Sequence, residues 1–269
     1  KAFRLTSPLL SRASDRVSIQ VGADEGVKLG DTYLFSRGSQ EEWDGFGRVS
    51  TIGHGGAQGK DVPSNVQVIA DYNQEDPPMK VVEYPMVGVG VGFISGMLPT
   101  HYTKTTLPTG DTIPSQSLGS AVLSLEGRWK MPFQIFELYQ STRISYFMRS
   151  PMGFSSVDPG VEKRWLFGRF APLVGARYTL GIVSIPLTRA PLQINASAYM
   201  HGLEAYSGLA VFLHPAFTLS GSVGYRQFFT KASKFDSDLG STSLLDVAGK
   251  PWAISLSGLY ALGGLVYEY

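Results

Sequence analysis

The sequence predicts an all-β chain, an eight-stranded antiparallel transmembrane β-barrel preceded by a small β domain, eight being roughly the lower limit for such barrels. Three observations lead there. The composition is rich in glycine (31 residues) and aromatics (12%) and poor in charge (17%), where a soluble globular chain carries about 25% charged residues. The C-terminal two-thirds reads as long alternating segments whose polar face is Gly, Ser, Thr, Tyr, Glu and Arg, with few of the lysines that a water-facing surface shows. The connections between those segments alternate between short and long.

Residues 1–73 are expected to form the small domain, SH3-like in character. Short alternating segments at Arg16–Val21, Thr32–Ser36, Gly47–Ile52 and Val66–Ala70 are separated by polar turns, the spacing of a compact all-β module. Residues 74–82 are expected to be a linker, because Asn73-Gln74-Glu75-Asp76-Pro77-Pro78 is acidic and doubly stopped by proline. Residues 83–269 then form the barrel. No helical span is expected, since the most apolar stretch, Tyr84 to Leu98, is too short and is broken by Pro85 and four glycines.

The barrel strands are assigned in order, apolar residues outward. Met86–Gly96 places Val87, Val89, Val91 and Phe93 on one face, and its glycines leave the lumen side bare for side chains from across the barrel. Ser120–Lys130 turns Ala121, Leu123, Leu125 and Trp129 out, and Ser124, Glu126 and Arg128 in. Ile135–Ser150 turns Phe136, Leu138, Ile144, Tyr146 and Met148 out, and Glu137, Tyr139, Ser141 and Arg143 in. Trp165–Val183 exposes Val174, Tyr178, Leu180 and Ile182 while Arg169, Arg177 and Thr179 face in. Leu192–Met200 alternates most regularly, with Leu192, Ile194, Ala196, Ala198 and Met200 expected outward. Glu204–Leu213 follows, then Phe217–Phe229 with Leu219, Val223 and Tyr225 opposite Ser220, Ser222 and Arg226, and finally Trp252–Tyr269.

Short links at 130–132, 186–191 and 214–216 contrast with long ones at 98–117, 151–163 and 230–251, with a tight turn near Gly202. Outer-membrane barrels carry short turns on the periplasmic side and longer loops outside. An even strand number returns the C-terminus to the side where the chain enters, so the N-terminal domain and the C-terminus are both expected in the periplasm. Beginning at Lys1 without a leader, the chain is expected to be either export-processed or a trimmed portion.

Two resemblances sharpen this. Gly264-Leu265-Val266-Tyr267-Glu268-Tyr269, with a terminal aromatic at Tyr269, another at Tyr267 and glycine at Gly264, resembles the C-terminal β-signal of bacterial outer-membrane proteins. The resemblance implies insertion by the barrel assembly machinery. Val21 to Asp31, with Gly26 and Gly30 at turn positions and Val27 and Leu29 as anchors, resembles a turn in SH3-like β modules of envelope proteins. The C-terminal domain of the flagellar assembly protein FlgT is one such module. That resemblance implies a protein-binding or assembly role, with Asp24, Glu25, Gly26, Lys28 and Asp31 as candidate contact residues, together with the loop from Ser39 to Gly45.

The expected lumen charges are Glu126, Arg128, Glu137, Arg143, Arg177 and Arg226, with Arg149, Arg169 and Glu204 nearer the strand ends. A small barrel has an interior just filled by side chains, and unpaired charge there is strongly destabilising. These groups are therefore expected to pair into a structural network; an arginine-lined anion path is the alternative. Metal sites and thiol chemistry are not expected, because cysteine is absent and His54, His101, His201 and His214 lack ligand spacing. His201 with Glu204 and Ser207 is the one cluster with the composition of a lipid-modifying active site, and adjacency favours a turn instead. Gly88-Val89-Gly90-Val91-Gly92 lacks the βαβ context of a dinucleotide loop, so no cofactor is expected. Trp129, Tyr146, Phe147, Trp165, Phe167, Phe228, Phe229, Trp252 and Tyr267 suit interfacial girdles. A net charge of +1 gives no basis for nucleic-acid binding.

The expected function is non-enzymatic: an outer-membrane anchor whose periplasmic module docks onto an envelope assembly of flagellar or secretion type. Its expected partners are outer-membrane lipid and lipopolysaccharide, the assembly machinery and other envelope proteins. A narrow anion-preferring channel and an outer-leaflet lipid-modifying enzyme are the competing readings.

Overall fold

A computed structural model describes residues 5–13, 15–28, 30–36, 43, 45–53, 63–71, 80–84, 89–117, 120–130, 138–149, 152–187, 194–238 and 240–268, with backbone alone at Asp71, Val89, 128–130, 147–149 and Glu268. The N-terminal part is a closed antiparallel barrel in its own right. Its strands are β1 (Thr6–Arg12), β2 (Arg16–Ile19), β3 (Thr32–Ser36), β4 (Gly45–Thr51), β5 (Ser64–Asp71) and β6 (Lys80–Glu83), in the order β1-β2-β5-β4-β3-β6, with β6 closing on β1. Alternating apolar residues Val17, Ile19, Tyr33, Phe35, Val49, Val66 and Val81 fill it. The expected turn chemistry holds: Gly26 and Gly30 take left-handed φ values of 84° and 73°. The expected linker is corrected at its end, since Lys80, Val81 and Val82 pair with both β1 and β3.

The second part is a closed eight-stranded antiparallel barrel. Its wall consists of β7 (Val89–Leu98), β10 (Ser120–Lys130), β11 (Leu138–Arg149), β12 (Met152–Arg164), β13 (Phe170–Pro186), β14 (Asn195–His214), β15 (Phe217–Phe228) and β18 (Gly258–Glu268). Two short hairpins lie in the long connections, β8 (Thr105–Thr106) with β9 (Thr112–Ile113), and β16 (Lys234–Ser237) with β17 (Gly240–Ser243). Each wall strand pairs with its sequence neighbour in the wall, and β18 closes on β7.

The expected strand count holds although two assignments behind it fail. Residues 151–163, expected as a loop, contain β12, whose pairing to β11 runs unbroken from Arg149↔Met152 to Leu138↔Lys163. Proline and glycine at 153, 159 and 160 disguise it as a turn. Residues 192–213, expected as two strands around a turn at Gly202, contain the single strand β14, which pairs with β13 without interruption from Asn195 to Val211. Gly202 is there for close approach: a Cβ on it would lie 2.2 Å from the Gln227 carbonyl oxygen. The eighth strand begins at Gly258, so Trp252 lies outside it.

Along the lower wall the outer face is apolar, with Val91, Phe93, Leu123, Leu125, Ile144, Val174, Leu180, Leu219 and Val223 exposed as expected, and with Val157, Leu203, Leu209 and Leu265 exposed beside them. Above Glu204 on β14 the alternation continues unbroken, but the inward face turns apolar. Ala196, Ala198 and Met200 are buried and Tyr199 is 73% exposed, which overturns the outward assignment of those residues. The reason is local: this end of the β13–β14 hairpin covers an apolar cap. Residues of the long connections, among them Tyr102, Leu107, Ile113, Phe235, Leu244, Trp252, Ile254 and Leu256, join Val183, Ile185 and Met200 in one core. Trp252 is fully buried, stacks on Phe235 and donates its indole N–H to the Thr103 carbonyl at 2.7 Å. Trp252 and Phe228 are therefore core aromatics, whereas Tyr146, Trp165, Phe167, Phe229 and Tyr267 are exposed. The side chains of Trp129 and Phe147 lie outside the described residues.

At the opposite, short-turn end the small barrel packs against the large one. Phe46, Ile69 and Ala70 are continuous with the large barrel's core. The Arg48 guanidinium lies 4.2 Å above the Phe212 ring, and Trp43 meets His214 edge to face at 5.6 Å between ring centres.

Candidate functional site

The candidate site is a belt of charge across the lumen. Inward positions of six neighbouring strands carry alternating sign: Glu126 on β10, Arg143 on β11, Asp158 on β12, Arg177 on β13, Glu204 on β14 and Arg226 on β15. Direct cross-strand register joins Glu126 to Arg143, Arg143 to Asp158, Arg177 to Glu204 and Glu204 to Arg226. Opposite charges facing across a ladder attract where like charges would repel. All six are at most 3% exposed.

Glu204 is the hub. Its Oε2 accepts from Arg143 Nη2 and from Arg226 Nε at 3.0 Å and Nη2 at 2.8 Å; its Oε1 accepts from the Tyr260 hydroxyl at 2.6 Å and Arg177 Nη1 at 3.3 Å. Asp158 Oδ2 accepts from Arg143 Nε at 2.9 Å and Arg226 Nη2 at 3.2 Å. Glu126 accepts from Arg177 Nη2 at 3.1 Å. Below the belt, Glu162 accepts from Arg164 Nε at 2.6 Å and from the Tyr206 hydroxyl at 3.0 Å. Aromatic faces complete the desolvation, with Arg177 4.2 Å above Tyr206 and Arg143 5.6 Å from the Tyr260 ring centre.

Glycine makes room for those rings. A Cβ on Gly175 would lie 2.3 Å from the Tyr206 ring, and one on Gly224 would lie 2.6 Å from the Tyr260 hydroxyl. The bare inner face expected of β7 is present at Gly90 and Gly92, though Ile94 also points inward and is buried. Beside the belt a cavity of about 10 Å³, lined by Glu126, Glu162, Arg177 and Tyr206 among others, has space for one water.

Of the expected lumen charges, Glu126, Arg143, Arg177 and Arg226 come together. Glu137 and the Arg128 and Arg149 side chains lie outside the described residues. Arg169 is exposed in the turn after β12, a correction that follows from β13 starting at Phe170. Glu204 is central, because β14 extends well past it on both sides. Asp158, Glu162 and Arg164 were not anticipated, being hidden in and beside the expected loop. The signal existed: even positions from 156 to 164 read Ser, Asp, Gly, Glu, Arg, while Val157 and Val161 stand at odd ones.

The His201, Glu204 and Ser207 cluster is dissolved by strand geometry, since His201 and Ser207 point outward and Glu204 inward. His101 and His214 lie in different parts of the fold, the first bridged to Ser255 in the cap and the second beside Trp43 at the short-turn end; His54 lies outside the described residues. In the terminal segment Gly264 packs so closely that a Cβ would lie 2.1 Å from the Phe93 carbonyl oxygen, and Tyr267 faces outward against Phe217 at 5.1 Å; Tyr269 lies outside the described residues. In the N-terminal turn, Glu25 accepts from the Gly22 amide at 2.6 Å and Asp31 from the Lys28 amide at 2.7 Å, so both carboxylates brace the turn. The Asp24 and Lys28 side chains are exposed.

No protein-family profile matches the chain, and no curated protein matches it. Among solved structures it is similar to Neisserial surface protein A, with 10% identity and a TM-score of 0.44, covering 69% of this chain and 99% of that one. It is also similar to a major outer membrane protein from Thermus thermophilus, with 12% identity and a TM-score of 0.33, covering 67% of this chain and 99% of that one. Neither overlap is close enough to bear on function.

Proposed function

We propose that this protein is a sealed outer-membrane barrel acting as an anchor, which holds its N-terminal module on the periplasmic side for docking to an envelope assembly. The observation that carries the membrane reading is the pairing of an apolar outer wall with a desolvated, charge-balanced interior. On β14 the outward leucines run from Leu203 to Leu213; ten residues at about 3.3 Å each, tilted by about 40°, span about 25 Å, the height of a barrel's apolar band. Both ends of the barrel sequence and the turns after β12 and β14 share the module's rim. The two longest connections, after β7 and after β15, lie at the other rim with the two-residue link after β11 and the link after β13. The placement of the longest connections supports a periplasmic position for the module.

The module packs directly on that rim through Phe46, Arg48 and Trp43. This favours a rigidly held platform over a tethered one. Sealing also weighs against the anion-channel reading: the described arginines of the belt are engaged by carboxylates, and the cap and module cover the two mouths. The full chain in planar bilayers is expected to give flat current traces and, on gels, heat-dependent migration. Stepwise conductance would revive the channel.

Docking is tested by co-purification of the full chain in mild detergent, comparing wild type with a D24K/K28E variant. Loss of a specific set of co-purified envelope proteins is the expected result. An unchanged set would remove the turn as the contact surface.

A further inference from the structure

Where the outward apolar residues of β14 give out, a different chemistry begins on the same wall. The Tyr178 hydroxyl on β13 lies 2.9 Å from His201 Nδ1 on β14. His201 meets the Phe229 ring at 5.4 Å, and the Phe229 amide donates to the His201 carbonyl at 2.9 Å, which lays the segment after β15 alongside β14. That segment continues upward into β16, whose Asp236 pairs with Ser197. Lys231 and Lys234 are exposed on it, between the Phe229–His201 and Asp236–Ser197 contacts that bracket Tyr199, which is 73% exposed. Among the described residues Asp236 is the nearest carboxylate in sequence to Lys234, and its Oδ1 accepts from the Ser241 hydroxyl.

This row sits where β14, without any break in its alternation, changes the chemistry of its two faces. Below it the outward residues include Leu203 and Leu209; above it the outward residues are Ser197 and Tyr199, while Ala196, Ala198 and Met200 lie inward. Apolar-out wall belongs in acyl chains and apolar-in wall in water, so the row lies at headgroup depth. The Tyr178 contact occupies Nδ1, so Nε2 is the ring nitrogen left for an external partner, and it carries the proton when Tyr178 donates or the ring is protonated.

We propose that Tyr178, His201, Lys231 and Lys234 form a contact ridge for the phosphate of an anionic lipid headgroup in the adjacent leaflet. The ridge offers an imidazole N–H and two ammonium groups over an aromatic floor of Tyr199 and Phe229, with acyl chains running down past Leu180 and Leu203. This rests on the membrane reading above, and the test separates the two. The full chain is reconstituted in vesicles of phosphatidylcholine mixed with phosphatidic acid, and flotation reports insertion. Lipids retained on extraction are then weighed by native mass spectrometry for wild type, K231Q/K234Q and H201F.

Wild type is expected to retain phosphatidic acid over phosphatidylcholine. The preference should fall about fivefold for each lysine removed, with insertion and heat-dependent migration unchanged. Insertion without any lipid preference, or a preference that survives both variants, overturns the ridge and leaves the anchor intact. Displacement of phosphatidic acid by millimolar inorganic phosphate marks a free-ion site and also overturns it. Failure to float removes the membrane reading and the ridge with it.

Discussion

Replacing Glu204 by Gln should be among the most damaging single changes the barrel can suffer. The carboxylate is 1% exposed and accepts from three guanidiniums and a phenol. The amide keeps the shape, removes the charge, and turns an NH2 donor toward guanidiniums that can only donate. Arg143 and Arg226 would then share Asp158, and Arg177 would rely on Glu126. One positive charge would stand uncompensated in a dry interior, at a cost of about 3–5 kcal/mol. Removing Arg226 as well restores the balance, since Arg143 keeps Asp158 and Arg177 keeps Glu126. The double variant E204Q/R226Q should therefore be more stable than E204Q alone, with a coupling energy of about 2 kcal/mol, within the usual range for contacting residues. Urea titration of the full chain folded into vesicles, read by gel mobility of unheated samples, measures both single variants and the double one. A loss below about 1 kcal/mol for E204Q, or simple additivity in the cycle, would refute the claim that charge balance holds the belt together.

Other perturbations test neighbouring parts. Gly175→Ala places a methyl where the Tyr206 ring stands, so it should cost about 1–3 kcal/mol by overpacking; Gly153→Ala, with open space around its Cβ position, should cost far less in the same titration. Arg48→Ala removes the stack on Phe212 and should expose the junction between the two barrels to limited proteolysis, while urea stability of the large barrel stays the same. Burial, reinforced by Glu83, Asp31 and Glu25, holds the Tyr33 hydroxyl well above the ordinary tyrosine range. The unfolded chain ionises first, near pH ~10, so the module's stability is fully present below that pH and declines as pH rises beyond it. Because the Tyr33 hydroxyl has no hydrogen-bond partner among the described residues, Tyr33→Phe should flatten that alkaline decline at little cost at neutral pH, as followed by circular dichroism.

Much of this architecture was legible in the sequence because barrel walls alternate, and alternation survives in Leu123-Ser124-Leu125-Glu126 and in Leu219-Ser220. What was illegible has physical causes. Pro159 cannot donate to the ladder, and the β12–β13 register accordingly skips Asp158 and Pro159; a strand carrying such a residue mid-course reads as a loop. The split of β14 at Gly202 and the loss of β12 cancelled in the count, so agreement in strand number concealed two errors. Ala196, Ala198 and Met200 misled for a deeper reason. A period of two says which residues share a face but not which solvent that face meets, and β14 passes from one regime to the other within a single strand. Packing of the module on the rim left no trace in sequence pattern, because Phe46 and Trp43 look like ordinary core residues until their neighbours are known.

The seam between β7 and β18 is the one place in the large barrel wall where, among the described residues, neither strand bears one of the six belt charges. On the six charged strands a slip of one residue would swing a guanidinium or carboxylate to the apolar outer wall, so electrostatics reinforces their alignment. At the seam, Gly92 and Gly96 meet Val266 and Leu262 while Gly264 meets Phe93, with Cβ clearances of 2.1–2.8 Å that no larger residue could accept. Alignment there is enforced by bare backbone touching its neighbours. The two ends of the barrel sequence thus join along a line with none of the six belt charges, where close backbone contact and the single Tyr260–Glu204 hydrogen bond set how the cylinder shuts.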